Sequence, residues 1–523
     1  MKRNFSLLKN QRFDLLICGG GIYGAWTAYD ASLRGLKVAI IEQGDWACAT
    51  SSSSSKLIHG GLRYLESFDF KLVKKALSER QMLLQSAPHR VWPLRFGVPV
   101  YADSRVGRLS LKIGLMLYDF LAATPLGIMA HQYFNREEFS RRFSFLSTLA
   151  LKGGFTYNDA QTDDARLVLE LISGAIEAGA VCVNYCKLEG LTEKNGQACG
   201  VTVLDLLCNK TLEVEAKQIV YTIGQWLTTD KEISQSCRVT KGVHLIMPST
   251  LTDEALLLTA KSDGRVFFLI PWYEFTILGT TDNDYLGDIK NVQVENSDIE
   301  YLLKAVNHYL KSEWTVDDVI ASYAGLRVMK NSDKSSPSAV SRDWELKTAG
   351  NGVHYSIGGK ITSAREDATG IVDRVCSLLG LKLACVSRGK LFPWTPEENY
   401  ATWLTFTGAQ AEKLHVDTES TKWLIRRHGK RVNDILNSIE ATPLLASRIT
   451  PAVPLIFADL LFCAKNEMVV HLFDLLRRRM PLLLLTRLTQ EELRSIVQRV
   501  ASIMEWDDNT IQVELADCAR HMT

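Results

Sequence analysis

The first forty-three residues combine two apolar runs with a glycine-rich turn between them. Residues 13–18 (FDLLIC) form a short apolar run that predicts a buried strand. A glycine-rich turn follows at 19–24, and AWTAYDASLRG then has the pattern of a helix that stops at Gly35. Residues 36–43 (LKVAIIEQ) predict a second buried strand that ends near Glu42. This order predicts a β-α-β unit.

Beyond residue 43, the pattern predicts a chain that mixes helices and strands and ends in helices. Segment 44–66 is rich in Gly and Ser and is predicted as a loop, while 91–150 is mixed. Segments with the spacing of a helix are 68–86 and 163–180. Segments with the pattern of strands are 181–186, 199–207, 211–222, 265–271 and 274–280. Residues 353–380 predict a strand, a glycine turn and a helix, and the pattern is helical from about residue 391. These elements predict an α/β fold with a helical C-terminal part.

Composition and charge narrow the range of functions. The chain has 523 residues, with 60 Lys and Arg against 59 Asp and Glu, so its formal net charge is +1. A protein that mainly neutralises nucleic-acid phosphates is far more basic, so we expect no nucleic-acid partner. The 11 cysteines have no regular spacing, which indicates reduced thiols and a cytoplasmic protein. We predict neither a signal peptide nor a transmembrane helix, since no apolar run reaches about 18 residues.

The turn at 19–24 fits the dinucleotide-binding fingerprint Gly-x-Gly-x-x-Gly. Gly19 permits a tight turn, Gly21 lets backbone N–H groups approach a pyrophosphate, and Gly24 lets the helix pack closely on the strand. The phosphates would lie at a helix N-terminus, where unpaired N–H groups favour negative charge. Glu42 can accept hydrogen bonds from ribose hydroxyls. The sequence therefore predicts a dinucleotide site at this turn.

The segments that follow favour FAD over NAD. After Glu42 the chain enters a loop of small residues at 47–61, which could lie along an extended cofactor, instead of continuing a regular α/β alternation. Two later strands also end in glycine turns, at Gly224 and at Gly358-Gly359. The second of these turns allows a close backbone approach to a ribityl chain.

Longer motifs resemble those of the FAD-dependent, quinone-linked glycerol-3-phosphate dehydrogenases over essentially the whole chain. The motifs are CGGGIYGA, ACATSSSSSKLIHGGLRYLE, DDARLVLE, KGVHLIMP, FLIPWYEFTILGTTDNDYLGD, SYAGLR, GGKITSAR and DLLRRRMPLLLL. The resemblance implies a Rossmann-like FAD domain of the glutathione-reductase type, a mixed α+β substrate-capping domain and a C-terminal helical domain. It puts the FAD domain at roughly 1–90, 150–225 and 340–390, the capping domain at 91–149 and 226–339, and the helical domain at 391–523.

The same resemblance implies a reaction and its partners. Members of this family oxidise sn-glycerol 3-phosphate to dihydroxyacetone phosphate and pass the electrons through FAD to quinone. They usually lie on the inner face of the cytoplasmic membrane. We therefore expect a cytoplasmic enzyme in peripheral contact with that membrane, and a homodimer is left open.

The chemistry of a phosphorylated alcohol and the resemblance together give candidate site residues. A dianionic phosphate needs cationic groups, and Arg suits bidentate contacts with it. By resemblance, the substrate-binding residues are Arg63, Tyr64, Arg327, Arg342 and Lys360. The expected FAD-binding residues are Gly19, Gly21, Ile22, Gly24, Glu42, Thr50, Ser51, Ser55, Lys56, Leu57, Gly60, Gly61, Gly224, Gly359, Lys360, Ile361 and Thr362. We expect no metal in this site.

The oxidation also needs a group that accepts the proton of the substrate hydroxyl. A base with a pKa near neutrality suits this step, and His59 in LIHGG and His244 in KGVHL are the candidates. Arg327 could stabilise the developing alkoxide, so it is the third expected catalytic residue.

Three motifs depart from the family pattern. Residues 222–226 (TIGQW) replace an ATGPW-like segment, 325–329 (GLRVM) replace a GLRPL-like run, and 359–365 (GKITSAR) lack the tyrosine of a GGKxTTYR-like run. These departures leave two alternatives open, a dehydrogenase of another polyol phosphate such as erythritol phosphate and a non-catalytic flavin-binding regulatory protein. A third alternative is a glycerol-3-phosphate oxidase, which passes the electrons to oxygen.

Two charged clusters each allow a second interpretation. Asp159, Asp163 and Asp164 suggest a metal site, but Asp164 also has the position of a helix start, where an acidic residue is favourable. Residues 477–485 (RRRMPLLLL) suggest contact with an anionic membrane, or a solvated helix end beside a buried segment.

Overall fold

Strands and helices alternate in the first half of the chain, and helices dominate its end. The computed structural model describes residues 1–66, 68–123, 130–331 and 343–521. Its strands are β1 (Arg12–Cys18), β2 (Val38–Ile41), β3 (Leu57–Ile58), β4 (Val91–Tyr101), β5 (Gln132–Asn135), β6 (Leu151–Thr162), β7 (Val181–Val183), β8 (Cys186–Lys194), β9 (Gln197–Asp205), β10 (Lys210–Tyr221), β11 (Cys237–Met247), β12 (Ala255–Thr259), β13 (Val266–Trp272), β14 (Phe275–Gly279), β15 (Asn283–Asp284), β16 (Ala321–Lys330), β17 (Glu345–Thr348) and β18 (His354–Ile357). Its α-helices are α1 (Ile22–Leu33), α2 (Phe70–Ser86), α3 (Arg108–Leu121), α4 (Arg136–Arg142), α5 (Asp164–Glu177), α6 (Asn296–Asn307), α7 (Ala364–Leu378), α8 (Tyr400–Lys413), α9 (Thr418–His428), α10 (Val432–Ala441), α11 (Phe457–Asn466), α12 (Leu472–Asp474), α13 (Leu482–Leu485), α14 (Gln490–Met504) and α15 (Asp508–Arg520).

The predicted β-α-β unit forms the centre of a first sheet, whose strand order is β17-β18-β10-β1-β2-β7. β8 and β9 join this sheet through the pairing of β9 with β10. β1 lies between β10 and β2 and is parallel to both. Its carboxyl end therefore opens where the direction of chain crossover reverses, which is where ligands bind in open α/β sheets.

The two faces of β1 are covered by different elements. Leu15 and Ile17 pack in one core with residues of α1, α5 and α7. Phe13 and Leu16 pack on the opposite face with residues of β8, β9 and β10. Since both faces are covered, the strand is apolar almost throughout, as the run FDLLIC indicates.

A second sheet stands beside the first, with the strand order β15-β11-β14-β13-β12-β4-β6-β3. β16 pairs with β11, and β5 pairs with β6. β6 begins at Leu151 and pairs antiparallel with β4, so residues 151–162 belong to the second sheet. The sequence prediction put these residues with the FAD domain, and the domain limits stay a prediction.

The C-terminal helices pack against the second sheet. Leu475 and Leu476 lie in the same core as Trp92 and Trp272. The interpretation of RRRMPLLLL as a membrane-facing patch is wrong, because Arg478 and Arg479 are buried and bond the carboxylate of Asp45. The leucines that follow are buried with them, apart from the half-buried Leu483.

The fold class predicted from the sequence, α/β with a helical C-terminal part, is confirmed. Two local predictions differ from the structure. The loop at 44–66 contains β3 and two short 3-10 turns, Thr50–Ser52 and Leu62–Leu65. The strand predicted at 181–186 is divided, because the positive φ of Tyr185 separates β7 from β8. Of the helices in the described ranges, none is long and apolar enough to cross a membrane.

Candidate active site

A cavity of about 480 Å³ runs from the glycine-rich turn of the first sheet to the second sheet. The predicted residues that line it are Gly19, Gly21, Ile22, Glu42, Thr50, Ser51, Ser55, Leu57, His59, Gly61, Arg63, Tyr64, Gly224, Arg327, Gly359, Lys360, Ile361 and Thr362. Most of the predicted cofactor and substrate residues are therefore brought together in one place.

The glycines of the turn each leave space that a side chain would fill. Gly19 has a φ of +112°, and a Cβ there would lie 2.6 Å from the carbonyl oxygen of Thr222. A Cβ on Gly24 would lie 1.9 Å from the carbonyl oxygen of Gly19, so Gly24 does not line the cavity but lets α1 approach β1. The N–H of Ile22 donates to Ser51 Oγ over 2.9 Å at the open N-terminus of α1. This end of the cavity therefore has the shape and the N–H groups that a pyrophosphate needs.

Glu42 is held at the end of β2 by backbone groups on either side. Its Oε2 accepts from the N–H of Gly20 over 2.6 Å, and its Oε1 accepts from the N–H of Gly44 over 2.8 Å. Burial raises the pKa of Glu42, and the two N–H groups partly offset that effect. The carboxylate thus faces the cavity in the place where a dinucleotide ribose is bound.

Residues 50–61 form the long wall of the cavity, but two of the predicted residues face away from it. Lys56 turns inward, where its Nζ bonds Asp164 Oδ1 over 2.6 Å and both side chains are almost fully buried. The N–H of Gly60 donates to the hydroxyl of Tyr118 over 2.9 Å. Neither Lys56 nor Gly60 lines the cavity, and their contact with the cofactor stays a prediction.

The acidic cluster predicted from the sequence is divided among separate contacts. Asp159 accepts from Tyr118 and Arg80, Asp163 caps the start of α5, and Asp164 pairs with Lys56. These carboxylates are engaged by cations, hydroxyls and backbone N–H groups.

The glycine turn after β18 closes the cavity opposite the first turn. A Cβ on Gly359 would lie 1.6 Å from the hydroxyl oxygen of Tyr23. The N–H of Lys360 donates to that hydroxyl over 2.9 Å, and the hydroxyl donates to Asp367 over 2.7 Å. The close contact explains why this turn needs glycine.

The lining of the cavity carries three of the cations expected for the substrate, Arg63, Arg327 and Lys360, here called the cationic wall. Arg327 Nη2 donates to Thr280 Oγ1 over 2.8 Å, and its Nη1 lies 3.2 Å from Asp282 Oδ1. The Nζ of Lys360 lies 3.6 Å from the ring centroid of Tyr64. The guanidinium of Arg63 lies 5.9 Å from the same ring. Arg342 lies outside the described residues.

The two candidate histidines occupy different positions. His59 is half-buried and lines the cavity, and its backbone N–H donates to Thr362 Oγ1 over 3.2 Å. His244 is fully buried outside the lining, and its Nε2 lies 2.8 Å from Ser55 Oγ. Burial, followed by the charges of Arg327 and Lys56, holds the pKa of His244 well below its ordinary value. His244 is therefore a neutral residue behind Ser55.

Several lining residues were not predicted from the sequence. Examples are Tyr23, Trp226, Phe268, Thr280 and Asp282. Thr280 and Asp282 lie within the motif FLIPWYEFTILGTTDNDYLGD, so a signal was present. It gave no role for either residue, because their contacts with Arg327 join the segment between β14 and β15 to β16, which is distant in the sequence.

Comparison with known proteins identifies the family of this chain. Residues 14–365 match the FAD dependent oxidoreductase family, and residues 398–511 match the C-terminal domain of alpha-glycerophosphate oxidase. A glycerol-3-phosphate dehydrogenase of Synechocystis is 33% identical over 508 residues, which is 92% of this chain and 91% of that protein. The chain belongs to the FAD-dependent glycerol-3-phosphate dehydrogenase family. An aerobic glycerol-3-phosphate dehydrogenase of Staphylococcus aureus is a second relative in this family, 32% identical over 90% of this chain and 87% of that protein.

Solved structures agree with the family assignment. The glycerol-3-phosphate dehydrogenase of Bacillus halodurans complexed with FAD superposes with a TM-score of 0.80 and 27% identity, over 99% of this chain and 96% of that chain. The L-alpha-glycerophosphate oxidase of Mycoplasma pneumoniae shares the fold, with a TM-score of 0.56 and 19% identity over 73% of this chain and all of that chain. FAD is the cofactor of the family, and the glycine cradles of this chain fit it.

Proposed function

We propose that this protein oxidises sn-glycerol 3-phosphate to dihydroxyacetone phosphate and passes the electrons on to quinone. The observation that carries the proposal is the presence of the three cations Arg63, Arg327 and Lys360 in the lining of the cavity that begins at the glycine-rich turn. A dianionic phosphate beside a nucleotide-binding turn needs such a wall, because its charge must be compensated once water is excluded.

The cations of the cationic wall are held in position by neighbouring side chains. Arg327 is held from behind by Thr280 and Asp282, so its guanidinium keeps a fixed direction when substrate binds. The ring of Tyr64 holds the ammonium of Lys360 in a cation–π contact. We assign Arg63, Lys360 and Arg327 to the substrate, and Arg327 also to the charge that develops on the reacting oxygen.

His59 is the better of the two candidates for the hydroxyl proton. It is half-buried in the cavity wall, whereas His244 is separated from the cavity by Ser55. The chemistry that FAD supplies when bound is acceptance of the hydride from the alcohol carbon. When His59 takes the hydroxyl proton and the carbon gives up its hydride, the alcohol becomes a ketone, so all atoms and electrons are accounted for.

The first experiment is an anaerobic absorbance spectrum of the purified protein before and after addition of sn-glycerol 3-phosphate. We expect the flavin absorbance to bleach promptly, and no bleaching would move the assignment to another polyol phosphate or to a regulatory role. A second candidate function is an oxidase that passes the electrons to oxygen. The observation in its favour is the match of residues 398–511 to the C-terminal domain of alpha-glycerophosphate oxidase. Peroxide release at the rate of substrate oxidation would support the oxidase, and slow peroxide release with fast quinone reduction would support the dehydrogenase.

An exposed face of α3 supports the peripheral membrane contact that we propose at the inner face of the cytoplasmic membrane. Its apolar side chains are 54% to 79% exposed and repeat at helical spacing: Leu109, Ile113, Met116 and Phe120. Lys112 on the same helix and Lys71 and Lys74 on α2 are also exposed, and cations of this kind attract anionic lipid. The buried face of α3 bonds Gly60 through Tyr118, next to the loop that lines the cavity. A lipid-dissolved quinone would therefore be close to the flavin.

Sedimentation with anionic vesicles tests the membrane contact. We expect the variant Ile113→Glu/Phe120→Glu to stay in solution while the parent chain sediments. The control is Leu444→Glu, since Leu444 is 83% exposed in the 3-10 turn Pro443–Ala446 of the C-terminal helical part, and this variant should sediment like the parent. If the variant of α3 turns a dimer into a monomer without changing vesicle binding, the face is a subunit interface instead.

A further inference from the structure

The pair Arg478 and Arg479 ends the helical turn Leu475–Arg479 that follows α12, and it is buried against the loop that follows β2. Arg478 Nε donates to Asp45 Oδ2 over 2.7 Å, and Arg479 Nη2 donates to Asp45 Oδ1 over 2.8 Å. Asp45 itself is 1% exposed. Burial alone would raise the pKa of Asp45, but the two guanidinium groups outweigh that effect and lower it. An ionised, fully enclosed carboxylate therefore links the C-terminal helices to the loop 44–66, which we call the cofactor loop.

The residues that follow Asp45 form the floor of the glycine-rich turn. Trp46 is fully buried, and a Cβ on Gly20 would lie 2.5 Å from a carbon of its ring. The N–H of Ala47 donates to the carbonyl oxygen of Gly20 over 3.1 Å. On its other side, Gly20 donates its N–H to Glu42. The middle residue of the turn is thus fixed by segment 42–47 from both sides.

The same C-terminal region also holds Trp46. The indole N–H of Trp46 donates to the sulfur of Met468 over 3.3 Å. Arg479 Nη2 donates to the carbonyl oxygen of Glu467 over 2.9 Å and to that of Met468 over 3.3 Å. One buried arginine therefore fixes Asp45 relative to the backbone that positions Trp46.

We propose that Arg478 and Arg479 are positioning residues for FAD: through Asp45 and Trp46 they hold the glycine-rich turn in the conformation that binds the cofactor. The C-terminal helical part is then a component of the cofactor site, although none of its residues lines the cavity within the described ranges. This inference depends on FAD in the turn, and it does not depend on which alcohol is oxidised or which acceptor is used.

The test compares two conservative variants of buried arginines. Arg479→Lys keeps the charge but loses the planar fork that serves Asp45 and the backbone together. Arg90→Lys is the matched control, because Arg90 is fully buried and joins Glu170 to the carbonyl oxygens of Arg426 and Arg427, away from the cavity. For each holoenzyme, the release rate of FAD after dilution is measured by flavin fluorescence, together with the melting temperature.

We expect Arg479→Lys to release FAD about tenfold or more faster than Arg90→Lys at a similar loss of melting temperature, and tenfold corresponds to roughly 1.4 kcal/mol. A purely structural role would make the two variants release FAD alike for the same loss of melting temperature, and that result would overturn the proposal. If Arg479→Lys does not fold, Asp45→Asn decides, since it keeps the side-chain volume and removes the charge. Release from Asp45→Asn at the parent rate would equally overturn the proposal, and faster release would support it.

Discussion

The role proposed for Arg327 can be tested by removing its side chain. In Arg327→Ala the substrate phosphate loses a guanidinium that can make two charge-assisted hydrogen bonds. Such bonds contribute about 1.5 to 3 kcal/mol each, so a net loss of about 3 kcal/mol is expected for the pair. This corresponds to a decrease in kcat/KM of about 150-fold. The side chain is 21% exposed, so solvent screens its charge only in part.

A second consequence concerns Asp282, whose carboxylate is mostly buried beside Arg327. Without the arginine, that carboxylate loses a cation and repels the incoming phosphate. We therefore expect the double variant Arg327→Ala/Asp282→Asn to recover part of the lost kcat/KM. Recovery would show that the two side chains act on the same phosphate.

The assay is the rate of flavin bleaching under anaerobic conditions over a range of substrate concentrations. Arg238→Ala is the control, because Arg238 pairs with Asp284 at the edge of the second sheet and does not line the cavity. FAD content is measured by absorbance and should equal that of the parent chain in both variants. A kcat/KM for Arg327→Ala within about threefold of the control would refute the assignment of Arg327 to the substrate.

Three further predictions concern the cofactor turn and His244. Gly24→Ala should be purified without FAD, because its Cβ would lie 1.9 Å from a backbone oxygen of the turn, whereas Gly408→Ala in α8 meets nothing within 4 Å and should keep FAD. Glu42→Gln should bind FAD about tenfold more weakly in a fluorescence titration, since one of two buried N–H donors loses its acceptor. The folded-state pKa of His244 lies below its unfolded value, so the free energy of unfolding should fall as the pH drops below about 6.5, by up to about 1.4 kcal/mol per unit, and denaturant titrations of His244→Gln should show a smaller fall.

The β-α-β unit that carries the glycine-rich turn could be predicted from the sequence because its signals are local. The strand, the glycine turn and the acidic residue occupy 31 consecutive positions, from Arg12 to Glu42. A side chain on Gly24 would collide with the turn itself, and one on Gly19 would collide with Thr222 at the end of the neighbouring strand. Side-chain direction in the irregular loop was not predictable in the same way. Lys56 has a φ of +57°, and its side chain pairs with Asp164. No periodicity in the sequence indicates such a backbone turn.

The buried arginines were missed for a different reason. Three consecutive arginines are typical of a solvated or membrane-facing surface, because burial of an unpaired charge is costly. Arg478 is compensated by Asp45, which is 433 positions away in the chain. A contact of that separation leaves no pattern in a single sequence, and only the fold brings the two charges together.

The departures from the family motifs bear on substrate choice through the attachment of β16. The hydroxyl of Tyr323 donates to the carbonyl oxygen of Ser54 over 3.0 Å, and the hydroxyl of Thr50 donates to the carbonyl oxygen of Leu326 over 2.6 Å. These bonds fix the strand to the cofactor loop immediately before Arg327. The replaced residues of the GLRPL-like run, Val328 and Met329, come after this attachment. We therefore expect their substitution to leave Arg327 in place, while both residues still line the cavity. A preference for a different polyol phosphate would then arise from the shape of the cavity beyond the cationic wall, with the phosphate itself bound in the same place.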